Sequence, residues 1–405
     1  GGFGGKEDIA GQVHAALARH APRGLVERLA VKWQGPAGAI DKYEAKGRVQ
    51  QLAVQAIPAE IKGPGPWIGT PGVSGATLEF DLTEAWGKAN VLLQNGSVTL
   101  PGVFEEALVP FTQLTADVAW QLEQGKVLVQ VPRMRFSNDD AEGELQLKWQ
   151  TGNAVREQGL GRYPGVLDLQ GSLSRSTGTR VHRYLPLVLQ KGVREYVRDA
   201  VLAGTSPNVR FRVKGDLWDM PFANPKLGEF SIRADIRDAV VAYVPPAYQS
   251  ADTLPWPVLA QMHGELVFDR KSLQVRGARG GLQGLPGLQI SRADMQIADL
   301  LQPAVVVASM ETRGPLSDVL TVVNGSPLGV LSGNTLARAS GTGTVDTRLK
   351  LTVPVQAPDK STVQGSLVLA GNDLQISPDI PHLARARGAV GFSENGFSLT
   401  AVQGR

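Results

Sequence analysis

Histidines and clustered carboxylates are the residues of this chain that could hold a metal ion or act as a general acid and base. The five histidines are scattered, with no HExxH spacing and no close pair: His14, His20, His182, His263 and His382. A metal site normally brings several such ligands together at short spacing, so this distribution disfavours one. An acidic run, Asp139, Asp140, Glu142 and Glu144, could supply paired carboxylates or calcium ligands. Its position between two strand-like segments favours a solvated hairpin instead.

Two further catalytic patterns are absent or incomplete. The sequence contains no Gly-x-Ser-x-Gly nucleophile elbow and no cysteine, which excludes disulfides, thiolate metal sites and cysteine nucleophiles. The stretch from Gly63 to Gly69 superficially resembles a phosphate-binding loop, but its prolines remove N–H donors and no lysine follows. We interpret it as a turn, and we predict a protein that is not an enzyme and has no cofactor.

Composition narrows the remaining classes of function. The chain has 405 residues, with 41 basic and 38 acidic side chains and a formal net charge of +3, which disfavours nucleic-acid binding. No run approaches the ~18 apolar residues that span a bilayer. The sequence begins with Gly1 and has no signal-peptide pattern, so we expect a mature chain or a piece of a longer protein.

Alternation of apolar and polar residues with period two recurs along the whole chain. This pattern is typical of strands that bury one face, and 47 glycines and 26 prolines supply the turns between them. Four turn signals, at Gln94–Gly96, Glu123–Gly125, Gly371–Asp373 and Glu394–Gly396, predict antiparallel hairpins. The apolar side chains of these strands would line any trough that the sheet forms, and we call them the predicted lining residues. They are Leu78, Phe80, Leu82, Val118, Trp120, Leu122, Leu145, Leu147, Trp149, Leu167, Leu169, Val209, Phe211, Val213, Phe230, Ile232, Ile236, Leu266, Phe268, Leu349, Leu351, Val353, Leu367, Leu369 and Phe392.

Three segments have helical periodicity, over residues 7–20, 180–203 and 315–324. We predict a β segment over 1–178 with a short N-terminal helix, an amphipathic helix over 179–205, and a second β segment over 206–405 with a short helix near 315–324. The basic helix in the middle covers the sheet as a cap or lies on a membrane surface. The basic stripe Arg210, Arg212 and Lys214 is a solvated face or a contact for anionic lipid headgroups.

The predicted strands pose a packing problem. Roughly 20 strands each carry an apolar face, and three helices cannot cover them, although exposed apolar area costs about 25 cal/mol per Å². Sheets could pack face to face, close into barrels, or curl into an open trough whose lining a hydrophobic ligand covers. Composition alone favours the first two solutions.

A family resemblance favours the third solution. The segment "GPLSDVLTVVNGSPLGVLSGNTLARASGTGTVDTRLKLTVPV" over 314–355 has a short helix, Ser-Pro-Leu, a linker, and Gly-x-Gly before a strand that ends in proline. It resembles the AsmA-like, YhdP-type proteins of the Gram-negative envelope. "STVQGSLVLAGNDLQISPDIPHLARARGAVGFSENGFSLTAVQG" continues the likeness, and upstream Tyr184-Leu-Pro186 through Gly204, followed by Val209–Phe222, resembles the family's long helix and next strand.

The resemblance implies a long, twisted, curved antiparallel sheet that forms an open, taco-like groove with about three accessory helices. It also implies a segment of a periplasmic bridge-like protein that is anchored to the inner membrane outside this chain and moves phospholipids between the inner and outer membranes. Its partners would be phospholipid acyl chains and the two membranes, and nucleic acid would not be a partner. The alternatives are a structural or adhesive β-solenoid stalk and a carbohydrate-active β-sandwich enzyme.

Overall fold

The computed structural model describes residues 9–36, 40–60, 67–152 and 162–403. Their twenty strands belong to one antiparallel sheet, which confirms the prediction of a mostly β chain built on a long antiparallel sheet. The strands are β1 (Arg23–Gln34), β2 (Lys42–Val54), β3 (Gly72–Thr83), β4 (Trp86–Thr99), β5 (Leu108–Glu123), β6 (Lys126–Ser137), β7 (Ala141–Gln150), β8 (Val166–Thr177), β9 (Val201–Ser206), β10 (Val209–Asp216), β11 (Gly228–Val241), β12 (Leu259–Asp269), β13 (Ser272–Leu282), β14 (Leu285–Ile297), β15 (Val305–Pro315), β16 (Ser340–Gly341), β17 (Thr344–Pro354), β18 (Thr362–Gln375), β19 (Leu383–Ser393) and β20 (Gly396–Gln403).

Helices are few and short. The α-helices of the described residues are α1 (Ile9–His20), α2 (Lys191–Ala200), α3 (Leu316–Asn324) and α4 (Pro327–Leu331). Short 3₁₀ turns occupy Gly178–Tyr184, Leu217–Asp219, Pro246–Tyr248 and Pro358–Lys360. Within the described part of the chain, no helix combines the length and the apolar character that crossing a bilayer requires.

The predicted amphipathic helix over 179–205 is much shorter in the structure. Its first part is the 3₁₀ turn that ends at Tyr184, and only Lys191–Ala200 is α-helical before β9 begins at Val201. Pro186 lies between these pieces, where a proline lacks an N–H donor and disfavours helical geometry in the residue before it. Arg194 is buried, and its guanidinium donates to the Leu189 carbonyl at 3.0 Å.

The predicted helix near 315–324 is confirmed as α3, with Pro315 just before its first residue. The sequence pattern missed α4, which follows directly. The Ser326 hydroxyl accepts a hydrogen bond from the Leu328 N–H at 3.3 Å, and Pro327 occupies the first helical turn. This is an ordinary N-terminal cap with a first-turn proline.

Two of the four predicted hairpin turns are hairpin turns in the structure, and two are not. Gln124-Gly125 joins β5 to β6, and Glu394-Asn395 joins β19 to β20. Asn95 (φ 52°) lies inside β4 and Gly371 (φ 98°) lies inside β18, so both are irregularities within a strand. Such bulges bend a strand and increase its twist. The predicted turn at Gly63–Pro66 lies outside the described residues.

The chain divides into two compact units. Unit 1 comprises Gly1–Ser176, Arg183–Val188 and Arg210–Ser231, and unit 2 comprises Thr177–His182, Leu189–Val209 and Ile232–Arg405. In unit 1, β1 to β8 pair in chain order, each antiparallel to the next. In unit 2 the same consecutive pairing runs from β12 to β15, then through β17 to β20.

Each unit has its own apolar core, built mainly from one face of its strands. In unit 1 the buried core residues are Ala76, Leu93, Leu114, Ala116 and Val131. In unit 2 one such cluster comprises Ala239, Met262, Ala278, Ile290 and Ala293. The described strands of unit 1 all belong to the same sheet, so its core is not formed by two sheets packed face to face.

Candidate functional site

The strand register of unit 1 places apolar side chains in rows that cross the sheet on one face. One row passes from Leu78 through Val91 and Ala116 to Met134, each the direct partner of the next. Strand side chains alternate between faces, so the residues two positions along each strand form parallel rows on the same face. We call this side of β2 to β8 the apolar face of unit 1.

Burial of the apolar face falls along β5 from one end to the other. Val109, Leu114 and Ala116 are buried, Trp120 is half-exposed, and Leu122 is 48% exposed. A flat, uncovered sheet could not bury Leu93 fully, so the bulged strands curl around this side of the face. The face is therefore closed at the Val109 end and open toward Leu122.

We call the accessible part the open apolar surface. It is made of half-exposed or exposed apolar side chains on β3, β5, β7 and β8: Phe80, Leu82, Val118, Trp120, Leu122, Leu147, Trp149, Leu167 and Leu169. Register connects these strands, since Trp120 pairs with Val129, which pairs with Trp149, which in turn pairs with Leu167. The surface is thus one patch, although its residues are far apart in sequence.

The closed end is held by a polar network that the sequence did not predict. Asp140, in the loop before β7, is buried and accepts a hydrogen bond from the Tyr184 hydroxyl at 2.8 Å. Burial and this carboxylate raise the pKa of Tyr184 to about 12, so the phenol stays neutral and remains a donor. The Asn138 amide donates to the Pro110 carbonyl at 3.0 Å, which ties the loop to β5.

The rim at the open end is held by aromatic contacts. The Trp149 indole N–H donates to the Pro164 carbonyl at 2.9 Å, and its ring stacks on Tyr163 with centroids 6.2 Å apart and planes at 23°. Trp149 is therefore fixed in orientation while part of its ring remains accessible. An amphipathic ring in this position suits a boundary between an apolar surface and water.

The opposite face of unit 1 is charged and internally paired. Lys46 and Asp81 are 3.3 Å apart, and Arg48 forms ion pairs with Glu27 at 2.7 Å and Glu79 at 3.3 Å. A cleft of about 720 Å³ near these strands is lined by three basic and three acidic residues (Arg28, Lys46, Lys88, Glu79, Asp81 and Asp117) together with apolar residues that include Phe80 and Val118. With charges of both signs and many of them paired, this face suits solvent.

The predicted basic stripe on β10 belongs to the same kind of surface. Arg210 and Lys214 are exposed, while the Arg212 guanidinium donates to Glu229 at 2.7 Å and lies 3.7 Å from Asp168. Its charge is already balanced by these carboxylates. This arrangement supports the solvated-face interpretation rather than a contact with anionic headgroups.

The acidic run is divided between a buried network and ion pairs on the sheet. Asp140 is buried in the network with Tyr184, whereas the sequence predicted a solvated position for it. The Asn138 side-chain oxygen accepts a hydrogen bond from the Asp140 N–H, and this contact positions the Asp140 carboxylate. Glu142 and Glu144 are exposed and lie near Arg175 and Arg135 on neighbouring strands. In the part of the chain that the structure describes, no group of three or more histidine, aspartate or glutamate side chains could hold a metal ion.

The predicted lining residues of unit 1 are almost all accessible. Leu122 is exposed and Phe230 is buried, while the remaining members are half-exposed: Leu78, Phe80, Leu82, Val118, Trp120, Leu145, Leu147, Trp149, Leu167, Leu169, Phe211 and Val213. The structure brings most of them onto one face of consecutive strands.

In unit 2 the predicted lining is largely covered. The half-exposed members are Ile232, Ile236, Leu266 and Leu349. The buried members are Val209, Phe268, Leu351, Val353, Leu367, Leu369 and Phe392. Helix α2 buries Val193, Tyr196 and Ala200 within this unit, which removes its apolar stripe from any membrane surface. Helix α3 packs on β14, β15 and β16 and buries a further apolar stripe.

Comparison with models of protein families assigns the chain to a family. The family model described as YhdP protein matches residues 7–405. The chain belongs to the YhdP family. Neither the curated proteins nor the solved structures contain a match to it. The match extends over both units.

Proposed function

We propose that the open apolar surface of unit 1 binds phospholipid acyl chains, and that the chain is a lipid-binding segment of a periplasmic protein that moves phospholipids between the inner and outer membranes. The observation that carries the proposal is the accessible patch around Trp120 and Leu147, which the remainder of unit 1 leaves uncovered. Membership of the YhdP family, whose members are associated with lipid transport in the envelope, supports it.

The size of the apolar face fits this ligand. The seven consecutive strands β2 to β8, at a spacing of ~4.8 Å, give a face about 29 Å long across the strands. One leaflet of a bilayer has a hydrocarbon depth of about 15 Å, half of the ~30 Å core. The acyl chains of one phospholipid therefore fit along the face with room to move.

The energy of binding is adequate without directional contacts. Burial of a methylene group contributes about 0.8 kcal/mol, so about ten methylenes give ~8 kcal/mol, equivalent to micromolar affinity. Apolar attraction has no preferred direction, so a lipid can slide along such a surface without a large barrier. Headgroups would remain in solvent at the open end, near Leu122 and Trp149. Apolar binding of this kind requires no nucleophile, base or metal ion, so in this proposal the protein acts by binding and not by catalysis.

The test is native mass spectrometry, with lipid extraction, on the chain isolated from a bacterial envelope under conditions that retain bound lipid. We expect phospholipid to be bound to the folded chain and to be displaced by added detergent. A folded chain that carries no phospholipid, and takes none up from vesicles of phosphatidylethanolamine and phosphatidylglycerol, would overturn the proposal.

A further inference from the structure

Two aromatic rings on the apolar face of unit 1, and a third on β10, which pairs with β8, each lie over a glycine of a neighbouring strand. Phe80 is the direct cross-strand partner of Gly47, and Trp120 is the direct partner of Gly87. A methyl group added to Gly87 would overlap the indole of Trp120, and one added to Gly47 would lie 2.7 Å from the Arg28 carbonyl oxygen and 3.0 Å from the Phe80 ring. Phe211 lies over Gly171 in the same way.

This pairing lowers the rings toward the sheet. Side chains on a strand normally stand roughly perpendicular to it, and a ring that stands upright projects far from the backbone. Where the neighbour is glycine, the ring occupies the space of the missing Cβ and adds about one atomic layer, ~3.5–4.0 Å, to the height of the face. Phe80, Trp120 and Phe211 are all half-exposed, so the surface that they present is accessible.

An aromatic ring also lies over a glycine in unit 2, and comparison of the two units shows what this contact does in each. Phe392 lies over its direct partner Gly365 in the same manner, but there the ring is buried. Aromatic–glycine pairing therefore packs the sheet in both units. Among the described residues, the rings of this kind in unit 1 are half-exposed, so there the pairing also shapes a surface that a ligand can reach.

We propose that Gly87, with Gly47 and Gly171, determines which acyl chains the open apolar surface of unit 1 accepts. By letting the rings lie flat, these glycines leave room on this surface for kinked, unsaturated chains as well as straight ones. A side chain at Gly87 would lift Trp120 above the surface and exclude the bulkier chains first. The inference rests on the proposed function, because it names the determinant of chain selectivity at the same site.

Gly87→Ala is the sharpest test, because the three nearest atoms to the added methyl group all belong to the Trp120 indole. Competition between dioleoyl and dipalmitoyl phosphatidylglycerol, read by native mass spectrometry, would report selectivity. We expect the bound ratio to shift about tenfold toward the saturated lipid, the change that the loss of roughly two methylene contacts produces. The double variant Gly87→Ala/Trp120→Leu should lose the shift toward the saturated lipid and match Trp120→Leu alone, since no indole remains to be lifted.

The control is Gly281→Ala on β13, where an added methyl group would meet the Leu288 carbonyl at an ordinary 3.6 Å. It should leave the ratio unchanged. Trp120→Leu alone provides a second route, should Gly87→Ala fail to fold, and it should shift the ratio toward the unsaturated lipid. An unchanged ratio in a folded Gly87→Ala variant, or in Trp120→Leu, would overturn the inference. Absence of both lipids from the wild-type chain would instead overturn the proposed function.

Discussion

Substitution of Leu147 by glutamate distinguishes two interpretations of the apolar face, a surface that binds lipid and a core that excludes both lipid and water. Leu147 is half-buried on β7, between Val131 and Leu169 in register, at the edge of the unit 1 core. Removal of a half-buried leucine costs about 1 kcal/mol of unfolding free energy, and the new carboxylate can still be hydrated. In a domain of this size, that loss lowers the unfolding midpoint by about 2–4 °C.

The effect on lipid binding is expected to be far larger. A carboxylate that acyl chains cover must take up a proton, which from a reference pKa of about 4.3 costs about 3.7 kcal/mol at pH 7. This is roughly a 500-fold loss of affinity for any lipid that covers residue 147. Equilibrium uptake of a fluorescent-chain phospholipid from vesicles, followed in parallel with thermal unfolding, measures both effects.

Gln146→Glu is the matched control for this variant. It adds the same charge one residue away, on the opposite face of β7, where Gln146 is exposed beside Gln170. Uptake by this variant should equal that of the wild-type chain. Equal uptake by Leu147→Glu and Gln146→Glu, or complete unfolding of the Leu147→Glu variant, would refute the assignment of this face to lipid.

Two further outcomes follow from the packing and charges of the units. Leu93→Ala, at a position that is 0% exposed, should lower the unfolding free energy by about 2–5 kcal/mol in denaturant titration, yet leave lipid uptake of the folded chain unchanged. The ammonium of Lys271 and the backbone N–H of Leu301 donate to Asp299 and lower its pKa. Asp299 therefore stabilises the fold above about pH 4, the unfolded value, and this contribution is lost as pH falls through the lower folded pKa. Denaturant titrations across that range should show a shallower acid limb in Asp299→Asn, and an identical limb would contradict the assignment.

The strands were predictable because their signal is local. Alternation such as that of Leu78, Phe80 and Leu82 marks the two faces of a strand wherever it pairs. The local sequence around a turn residue does not determine its structural role, as Asn95 shows. Its left-handed backbone suits a hairpin and a mid-strand bulge equally, and only pairing with the neighbouring strand decides between them.

The accessibility of the predicted lining could not be read from the sequence. Trp120 and Phe392 follow the same alternation and both lie over glycines, yet one is half-exposed and the other is buried. The difference arises from how each unit curls and from what covers its face, which depends on contacts between distant segments. The network of Asp140 and Tyr184 escaped prediction for the same reason, because 44 residues separate the two side chains.

Photocrosslinking with a phospholipid that carries a diazirine near the end of one acyl chain tests the central claim most directly. After irradiation and digestion, peptide mass spectrometry locates the attached lipid. We expect adducts on the open apolar surface, at or beside Leu82, Trp120, Leu147 and Leu167. Adducts confined to the charged face, at residues such as Lys46 and Arg48, or a folded chain that carries no adducts, would contradict it.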